Sequence, residues 1–123
     1  MMDENTQRLI DSYLPMSEQS LLLLLGLVEP RHGYGIMQMV HEQTKGRVNL
    51  SPSTVYTLLY KMETDGLIQT VSEIDRRKVY SITRLGNTIL EQETKRICAL
   101  ANYASSVLSS GQNSSVANDT VTV

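Results

Sequence analysis

The sequence predicts a mainly α-helical protein with one small β-hairpin and a long helix toward its C-terminal end. Three observations support this fold class. Apolar residues recur every three or four positions through the first half of the chain, they alternate with polar residues after Leu67, and helical spacing returns after Thr83. With 123 residues, of which 41% are hydrophobic and 20% are charged, the chain can form one modest core, and this composition excludes a disordered protein.

The first predicted helix covers residues 3–13, and Pro15 ends it. Three apolar side chains share one face of this helix: Leu9, Ile10 and Tyr13. The second helix begins after Ser17, which can cap its first turn, and its leucines surround most of the helix axis. This pattern is typical of a buried central helix, and we expect a turn over residues 29–33 to end it.

The third predicted helix runs from about residue 34 to residue 44, where a Lys-Gly pair ends it. The fourth helix has the strongest local signal, because Ser51 is a good N-cap and Pro52 occupies the first helical position. Its apolar residues follow at the spacing of one buried stripe: Val55, Leu58, Leu59 and Met62. An Asp-Gly pair then ends this helix.

The segment after the fourth helix predicts a β-hairpin. Residues 68–73 alternate, residues 75–78 interrupt the pattern with charges, and residues 79–83 again have the composition of a strand. The charged tip contains no glycine, so the sequence leaves the turn type open. Thr83 can cap a last helix over residues 85–109, whose apolar face is long for so small a protein.

Helices followed by a two-stranded hairpin are the plan of a winged helix-turn-helix, in which one helix enters a groove of DNA. We expect a DNA-binding domain with its N-terminal helix over residues 1–84, a dimerisation helix over residues 85–109, and a disordered tail over residues 110–123. A small α+β domain without a ligand has the same order of elements, so the order alone does not establish a function.

The fourth helix carries short hydroxyls, phenols and one cation on the side opposite its apolar stripe. These groups suit phosphate oxygens and base edges, and we expect them in the N-terminal half of the helix, where the helix dipole favours phosphate. The hairpin tip supplies three further cations, and a tyrosine after the His-Gly turn can anchor a phosphate. The predicted DNA-binding residues are Tyr34, Ser53, Thr54, Tyr56, Thr57, Lys61, Arg76, Arg77 and Lys78.

The charge distribution agrees with a local DNA-binding surface. The formal net charge of the chain is −2, which excludes a wholly basic surface. Residues 31–84 nevertheless carry eight Lys or Arg against five Asp or Glu, which gives this segment a charge of +3. The basic residues are therefore concentrated in the segment that contains the predicted DNA-binding residues.

The apolar faces of the first and last helices predict a homodimer, because one small domain cannot cover both. The residues expected at this interface are Leu9, Ile10, Tyr13, Ile89, Leu90, Ile97, Leu100, Ala101, Ala104 and Leu108. A twofold dimer would place two DNA-reading helices about one DNA turn, ~34 Å, apart. We therefore expect the operator to be an imperfect palindrome.

Six segments in this order resemble the PadR family of bacterial transcriptional regulators: PRHGYGI (30–36), GRV (46–48), LSPSTVY (50–56), GLI (66–68), DRRKVYSIT (75–83) and LG (85–86). The resemblance covers residues 14–103. It implies a winged-helix repressor that dimerises through its C-terminal helix and releases DNA on binding a small molecule, often a phenolic acid, an antibiotic or another hydrophobic compound.

The chain departs from this family at two positions and in its lack of tryptophan. The family often has Gly where Ser53 stands and Pro or Gly where Thr57 stands, so the base preference differs. The chain contains no Trp, which excludes a drug held between tryptophans. We expect a small hydrophobic or phenolic effector, for which Met and Tyr side chains near the dimer interface are available; a regulator without an effector is the alternative.

Several other functions are not supported by the sequence. No Ser-His-Asp or Cys-His arrangement indicates an enzyme, and no cofactor motif is present. His32, His41 and Cys98 do not have the spacing of a zinc site, and a single cysteine cannot form an internal disulfide. We expect His32 to order its turn or to contact a phosphate.

The sequence also bears on location and on the class of partner. No apolar run approaches the ~20 residues that span a membrane, and the acidic start is unlike a signal peptide, so we expect a cytoplasmic protein. A winged helix that binds protein instead of DNA is a second hypothesis. It requires apolar residues on the exposed face of the fourth helix, where hydroxyls and Lys61 stand instead.

Overall fold

The computed structural model describes residues 3–113, with side chains for residues 3–111. Its chain divides into two compact units, with the boundary between Glu91 and Gln92. Five helices are present in the described residues: α1 (Glu4–Tyr13), α2 (Glu18–Gly26), α3 (Gly33–Gln43), α4 (Pro52–Thr64) and α5 (Arg84–Asn113). Three strands accompany them: β1 (Arg31–His32), β2 (Ile68–Ile74) and β3 (Arg77–Ile82). The predicted fold class, mainly helical with a small sheet, is confirmed.

Side-chain caps fix where the helices begin, as the sequence predicts. The Ser17 hydroxyl accepts a hydrogen bond from the Ser20 amide at 3.1 Å, and the Ser51 hydroxyl accepts one from the Thr54 amide at 3.1 Å. Each bond satisfies a backbone donor that has no partner within its helix. At the end of α4, Gly66 adopts a left-handed conformation with φ +84°, which ends the helix as predicted.

The first unit contains the apolar core. Its fully buried side chains come from all four of its complete helices and from the residues that follow them: Ile10, Leu23, Leu24, Leu27, Ile36, Val40, Val55, Leu59, Met62, Leu67, Ile68 and Ile89. Burying one such side chain contributes about 1.5–3 kcal/mol to folding. The predicted stripe of α4 is confirmed at three positions, whereas Leu58 is only partly buried.

The predicted turn over residues 29–33 is partly wrong, because Arg31 and His32 form the short strand β1. This strand pairs antiparallel with β3, with Arg31 opposite Tyr80 and His32 opposite Val79, and the strand order is β1-β3-β2. Two residues are too few to show an alternating pattern. The strand exists because β3 offers them backbone hydrogen-bonding partners.

The hairpin turn is tighter than the four charged residues suggest. Asp75 and Arg76 alone connect β2 to β3, and both have positive φ, 52° and 66°. Two left-handed central residues are the signature of a type I′ turn, whose twist matches that of the strands. Arg77 and Lys78 therefore belong to β3, opposite Ile74 and Glu73, and the prediction that they form the tip is wrong.

The start of α5 is fixed against the end of α4 and the start of β2. The Thr83 hydroxyl donates to the Gly66 carbonyl oxygen at 2.6 Å and accepts from the Gly86 amide at 3.1 Å, so Thr83 caps the helix as predicted. A Cβ on Gly86 would overlap the Leu67 carbonyl oxygen and lie 2.8 Å from Ile82 Cγ1. Only glycine allows this close approach.

The second unit contains the continuation of α5. Its large apolar side chains are exposed in the single chain: Ile97, Leu100, Tyr103, Val107 and Leu108. Within this unit Glu93 is buried and accepts two hydrogen bonds from Arg96, at 2.7 and 2.8 Å. The helix extends to Asn113 instead of ending at residue 109, so residues 110–113 of the predicted tail are helical. The rest of that predicted tail lies outside the described residues.

Candidate nucleic-acid interface

A cleft of about 270 Å³ lies where the β2–β3 hairpin, hereafter the wing (residues 68–82), meets the start of α3 and the first half of α4. Its lining residues are His32, Gly33, Tyr34, Tyr56, Arg76, Arg77, Lys78 and Tyr80. Five of the nine predicted DNA-binding residues are among them. The fold thus brings together side chains that three separate segments of the sequence supply.

The wing supplies the cations of this cleft. Arg76, Arg77 and Lys78 are all exposed. Among the side chains of residues 3–111, no carboxylate forms an ion pair with any of the three. Their charge is therefore not neutralised by described neighbours and is available to an anion such as a DNA phosphate.

Two phenols stand on the other side of the cleft. Tyr34 in the first turn of α3 is 57% exposed, and Tyr56 in α4 is 52% exposed. Tyr56 packs closely on Gly33. A Cβ added to Gly33 would lie only 2.8 Å from the Tyr56 hydroxyl oxygen. The glycine therefore allows a phenol of α4 to reach the backbone at the start of α3.

The start of α3 is itself suited to an anion. His32 is the N-cap residue, but its side chain makes no capping hydrogen bond. The first amides of the helix are thus left without a side-chain acceptor, and the helix dipole favours a negative charge there. A DNA phosphate held between this helix end and the wing cations has both partners that phosphates prefer.

Two lining residues are not predicted from the sequence: Gly33, the first residue of α3, and Tyr80, which β3 places opposite Arg31 of β1. Tyr80 is largely buried, and this burial is the main reason that the pKa of its phenol is raised. The charge of Glu63 and the nearby Tyr56 raise the pKa further. Its phenol therefore stays neutral.

The His32 ring nitrogen Nδ1 lies 3.2 Å from the Lys78 carbonyl oxygen, which joins the turn before α3 to the wing. This contact favours an ordering role for His32.

The exposed face of α4 carries most of the other predicted residues. Ser53 and Thr57 are exposed, and Tyr60, on the same face, is 75% exposed. Thr54 is only partly exposed, because its hydroxyl accepts a hydrogen bond from the capping Ser51 at 3.0 Å. The surface available to a base edge is therefore formed mainly by short hydroxyls with one phenol beside them.

Lys61 does not lie where the sequence predicts it. It stands in the last turn of α4 instead of the N-terminal half. Its Nζ atom forms an ion pair with Asp65 Oδ2 at 2.9 Å and lies 4.9 Å from the centroid of the Tyr13 ring. Its charge is thus already paired within the chain, in contrast to the cations of the wing.

The predicted dimerisation residues of the first unit also divide. Ile10, Ile89 and Leu90 belong to the core of the single chain, so their side chains are not surface groups. Leu9 and Tyr13 are partly buried against that core. In the second unit the predicted Ile97, Leu100, Ala101, Ala104 and Leu108 are exposed in the single chain, so their role in a dimer stays a prediction.

A second cleft, of about 310 Å³, is lined by residues of α3 and of the loop that follows it: Met37, Gln38, His41, Glu42, Asn49 and Leu50. It contains no Lys or Arg, and His41 is engaged with Asn49 at 2.6 Å. It therefore does not suit a phosphate, although it is the larger cleft. Among the described residues no cluster of His, Cys, Asp or Glu could hold a metal, and none of their helices could cross a membrane.

Sequence comparison identifies related proteins. The family model described as "Transcriptional regulator PadR-like family" matches residues 21–92. Uncharacterized protein X of Lysinibacillus sphaericus is 31% identical over 80 residues, which are 62% of this chain and 73% of that protein. An uncharacterized 37.1 kDa protein in transposon TN4556 of Streptomyces fradiae is 29% identical over 86 residues, which are 69% of this chain but only 24% of that protein.

Solved structures share the fold. A transcriptional regulator from Clostridium thermocellum superposes with a TM-score of 0.64 at 20% identity, covering 80% of this chain and 96% of that one. A PadR family regulator from Eggerthella lenta gives 0.63 at 21% identity, covering 85% and 88%. Another, from Clostridium difficile, gives 0.64 at 21% identity, covering 75% and 99%. At these identities the likeness is one of fold, and the resemblance inferred from the sequence is confirmed by the family match.

Proposed function

The chain belongs to the PadR-like family of transcriptional regulators, and on that premise we propose that it is a repressor that binds a palindromic operator in double-stranded DNA as a homodimer. One observation carries the proposal: the cleft of about 270 Å³ joins three cations without an ion-pair partner among the described residues to two exposed phenols and an uncapped helix start. This combination suits a DNA phosphate. A cytoplasmic location follows from this role, since prokaryotic DNA lies there.

The two sides of the interface have different tasks in this proposal. Arg76, Arg77 and Lys78 contact phosphates, which fixes the protein on any DNA sequence. Tyr34 and Tyr56 add hydroxyl donors to the same backbone. Ser53, Thr54 and Thr57 lie along the part of α4 that enters the major groove, where short side chains allow the helix backbone to approach the base edges.

Dimerisation rests on the second unit. Leu100, Tyr103 and Leu108 are 57%, 69% and 65% exposed in the single chain, and a row of large apolar side chains in water is unfavourable. A second copy of the same helix offers a matching apolar surface. A twofold dimer would place two α4 helices about one DNA turn, ~34 Å, apart, which requires an operator with two related half-sites.

An effector completes the proposed regulation. We expect a small hydrophobic or phenolic compound that weakens DNA binding by preferring one arrangement of the dimer over another. Its support is the family and the supply of Met and Tyr side chains. A panel of aromatic acids and lipophilic cations should contain a compound that changes both the melting temperature and the DNA affinity; if none does, regulation without an effector is the better account.

Selection from sheared genomic DNA tests the central claim. Fragments retained by the purified protein are sequenced, and the tightest-binding fragment is compared with a scrambled duplex of the same length by fluorescence anisotropy at several salt concentrations. We expect tighter binding to the selected fragment, a strong salt dependence and a dimer in sedimentation. Equal binding to both duplexes, or a stable monomer at micromolar concentration, would overturn the proposal.

A further inference from the structure

Three side chains from two distant parts of the chain meet at the C-terminal end of α4. The hydroxyl of Tyr13, the last residue of α1, donates a hydrogen bond to Asp65 Oδ2 at 2.7 Å across 52 positions of sequence. Lys61 Nζ donates to the same oxygen at 2.9 Å and lies over the Tyr13 ring. One carboxylate oxygen thus connects α1 to α4.

The electrostatics keep this junction in one protonation state near neutral pH. The hydrogen bond from Tyr13, with a second from Lys61, holds the pKa of the Asp65 carboxyl below its usual value. Burial and the Asp65 charge raise the pKa of the Tyr13 phenol. The carboxylate therefore stays ionised and the phenol stays a donor, which makes the hydrogen bond a charge-assisted one.

Asp65 occupies a position that links the parts of the DNA-binding surface. It is the C-cap of α4, and its amide donates to the Lys61 carbonyl oxygen at 2.9 Å. Gly66 and Leu67 then lead directly into β2 of the wing. The contact to Tyr13 thus holds the end of α4 in addition to the Thr83 hydroxyl on the Gly66 carbonyl oxygen, at the point where the chain turns toward the wing.

The length of α4 makes this point mechanically important. The helix has 13 residues, which at 1.5 Å per residue is about 19 Å. A tilt of about 5° at its C-terminal end therefore moves its N-terminal end by about 1.7 Å, which is enough to break a hydrogen bond to a base. Apolar packing along Val55 and Leu59 holds the helix against the core but is not directional, whereas the hydrogen bond to Asp65 has a preferred geometry.

We propose that Tyr13 is a positioning residue for DNA binding, which orients α4 through its hydrogen bond to Asp65. The inference rests on the proposed function. Tyr13 contacts no DNA in this account and acts only through α4. The charge of Lys61 is paired with the same carboxylate, so we do not count Lys61 among the DNA-contacting residues.

Tyr13→Phe tests the inference in the full-length protein, because it removes only the hydroxyl and keeps the ring beneath Lys61. We expect five- to tenfold weaker binding to the selected genomic fragment. Binding to the scrambled duplex should fall much less, since no phosphate contact is lost. The protein should remain a dimer in sedimentation. Its melting temperature should change by no more than a few degrees.

Tyr34→Phe is the matched control, because it removes a phenolic hydroxyl from the cleft itself. It should weaken binding to the selected and the scrambled duplex alike and leave the salt slope unchanged, because a neutral phenol neutralises no phosphate charge. Asp65→Asn is the second variant, since it keeps an oxygen acceptor for Tyr13 but removes the charge. Its affinity should lie between those of the wild type and Tyr13→Phe, and Asp65→Ala should add no further loss to Tyr13→Phe.

The outcomes separate the two claims. Absence of specific DNA binding by the wild type overturns the proposed function and this inference with it. Specific wild-type binding with unchanged affinity for Tyr13→Phe overturns the inference alone. A dissociated dimer, an equal loss of affinity on the scrambled duplex or a melting temperature lowered in proportion to the affinity also overturns it, because Tyr13 would then act at the interface, on phosphate or in general stability.

Discussion

The two ends of α4 differ in what surrounds their polar side chains. Near its N-terminal end, Tyr56 borders a cleft whose wing cations have no ion-pair partner among the described side chains. At its C-terminal end, Lys61 is held by Asp65 and Tyr13. Cations that look alike in the sequence therefore differ in availability, and one end of the helix is suited to bind while the other is suited to anchor.

Removing the wing cations is the largest expected change to this contrast. Arg76→Ala combined with Arg77→Ala should weaken binding to every DNA sequence, because both side chains are proposed to contact phosphate. In the proposed homodimer the double variant removes four such contacts, two from each protomer. At a salt slope of about 0.9 per contact, the slope falls by about 3.6 units and the affinity falls more than about a thousandfold at ~0.1 M salt. Anisotropy titrations on the selected and scrambled duplexes measure both quantities. Unchanged affinity would remove the wing from the interface.

Thr57→Val tests whether the N-terminal half of α4 reads bases. The substitution keeps the shape of an exposed side chain and removes its hydroxyl. We expect about a tenfold loss on the selected duplex, the scale of one base contact, and a much smaller loss on the scrambled duplex. Ser12→Ala, on α1, is a control that should leave both affinities unchanged. Equal losses on both duplexes would mean that the helix only positions the protein.

Gly33→Ala tests the packing that supports the cleft. The added Cβ would lie 2.8 Å from the Tyr56 hydroxyl oxygen, and the half-exposed phenol can move aside without disturbing the core. We expect about fivefold weaker DNA binding, the effect of about 1 kcal/mol for one weakened hydrogen bond, with a nearly unchanged melting temperature. Gly35→Ala is a control, since a Cβ there meets only Arg31 Cβ at 3.9 Å. Equal affinities for the two variants would contradict the role of Tyr56.

Lys61→Met should change DNA affinity by less than twofold, because the charge that it removes is already paired with Asp65. The Lys61 side chain is 63% exposed, so the free energy of unfolding should fall by less than about 0.5 kcal/mol. Arg76→Met is the matched comparison at the wing and should weaken binding several-fold. A larger effect of Lys61→Met on both duplexes would show that Lys61 contacts phosphate after all.

The smallest expected effect concerns acid stability. The pKa of Asp65 is lowered in the folded chain, first by the Tyr13 hydrogen bond and then by Lys61. Its stabilising contribution is therefore complete above the ordinary Asp pKa near 4 and is lost as the pH falls through the lower folded value. In thermal melts, the melting temperature of Asp65→Asn should fall less between pH 5 and pH 3 than that of the wild type. Parallel pH profiles would contradict this assignment.

Much of the site could be predicted from the sequence, but its geometry could not. Residue type and helical or turn context predict DNA contacts for Arg76, Arg77 and Tyr56, and the structure brings these side chains to one cleft. The same reasoning places Lys61 on the DNA surface, because its partners Asp65 and Tyr13 cannot be recognised from the spacing of residues. Tyr13 is 52 positions from Asp65, and no periodicity connects them.

Local sequence signals are sufficient for the helix starts at Ser17 and Ser51, the end of α4, the hairpin and the order of the helices around it. Each of these depends on contacts within a few residues, such as the 3.1 Å bond from the Thr54 amide to Ser51, which local residue type is enough to specify. The family resemblance likewise rests on short segments in a fixed order.

Which side chains lie on the surface depends instead on how the elements pack together. Ile10 and Ile89 have the helical spacing of an interface, yet both are fully buried in the single chain. The strand β1 exists because β3 lies beside it, and the contact from the His32 ring to the Lys78 carbonyl spans 46 positions. Burial and long-range pairing depend on which elements become neighbours, and one helical face carries the same apolar spacing whether its partner belongs to the same chain or to a second copy.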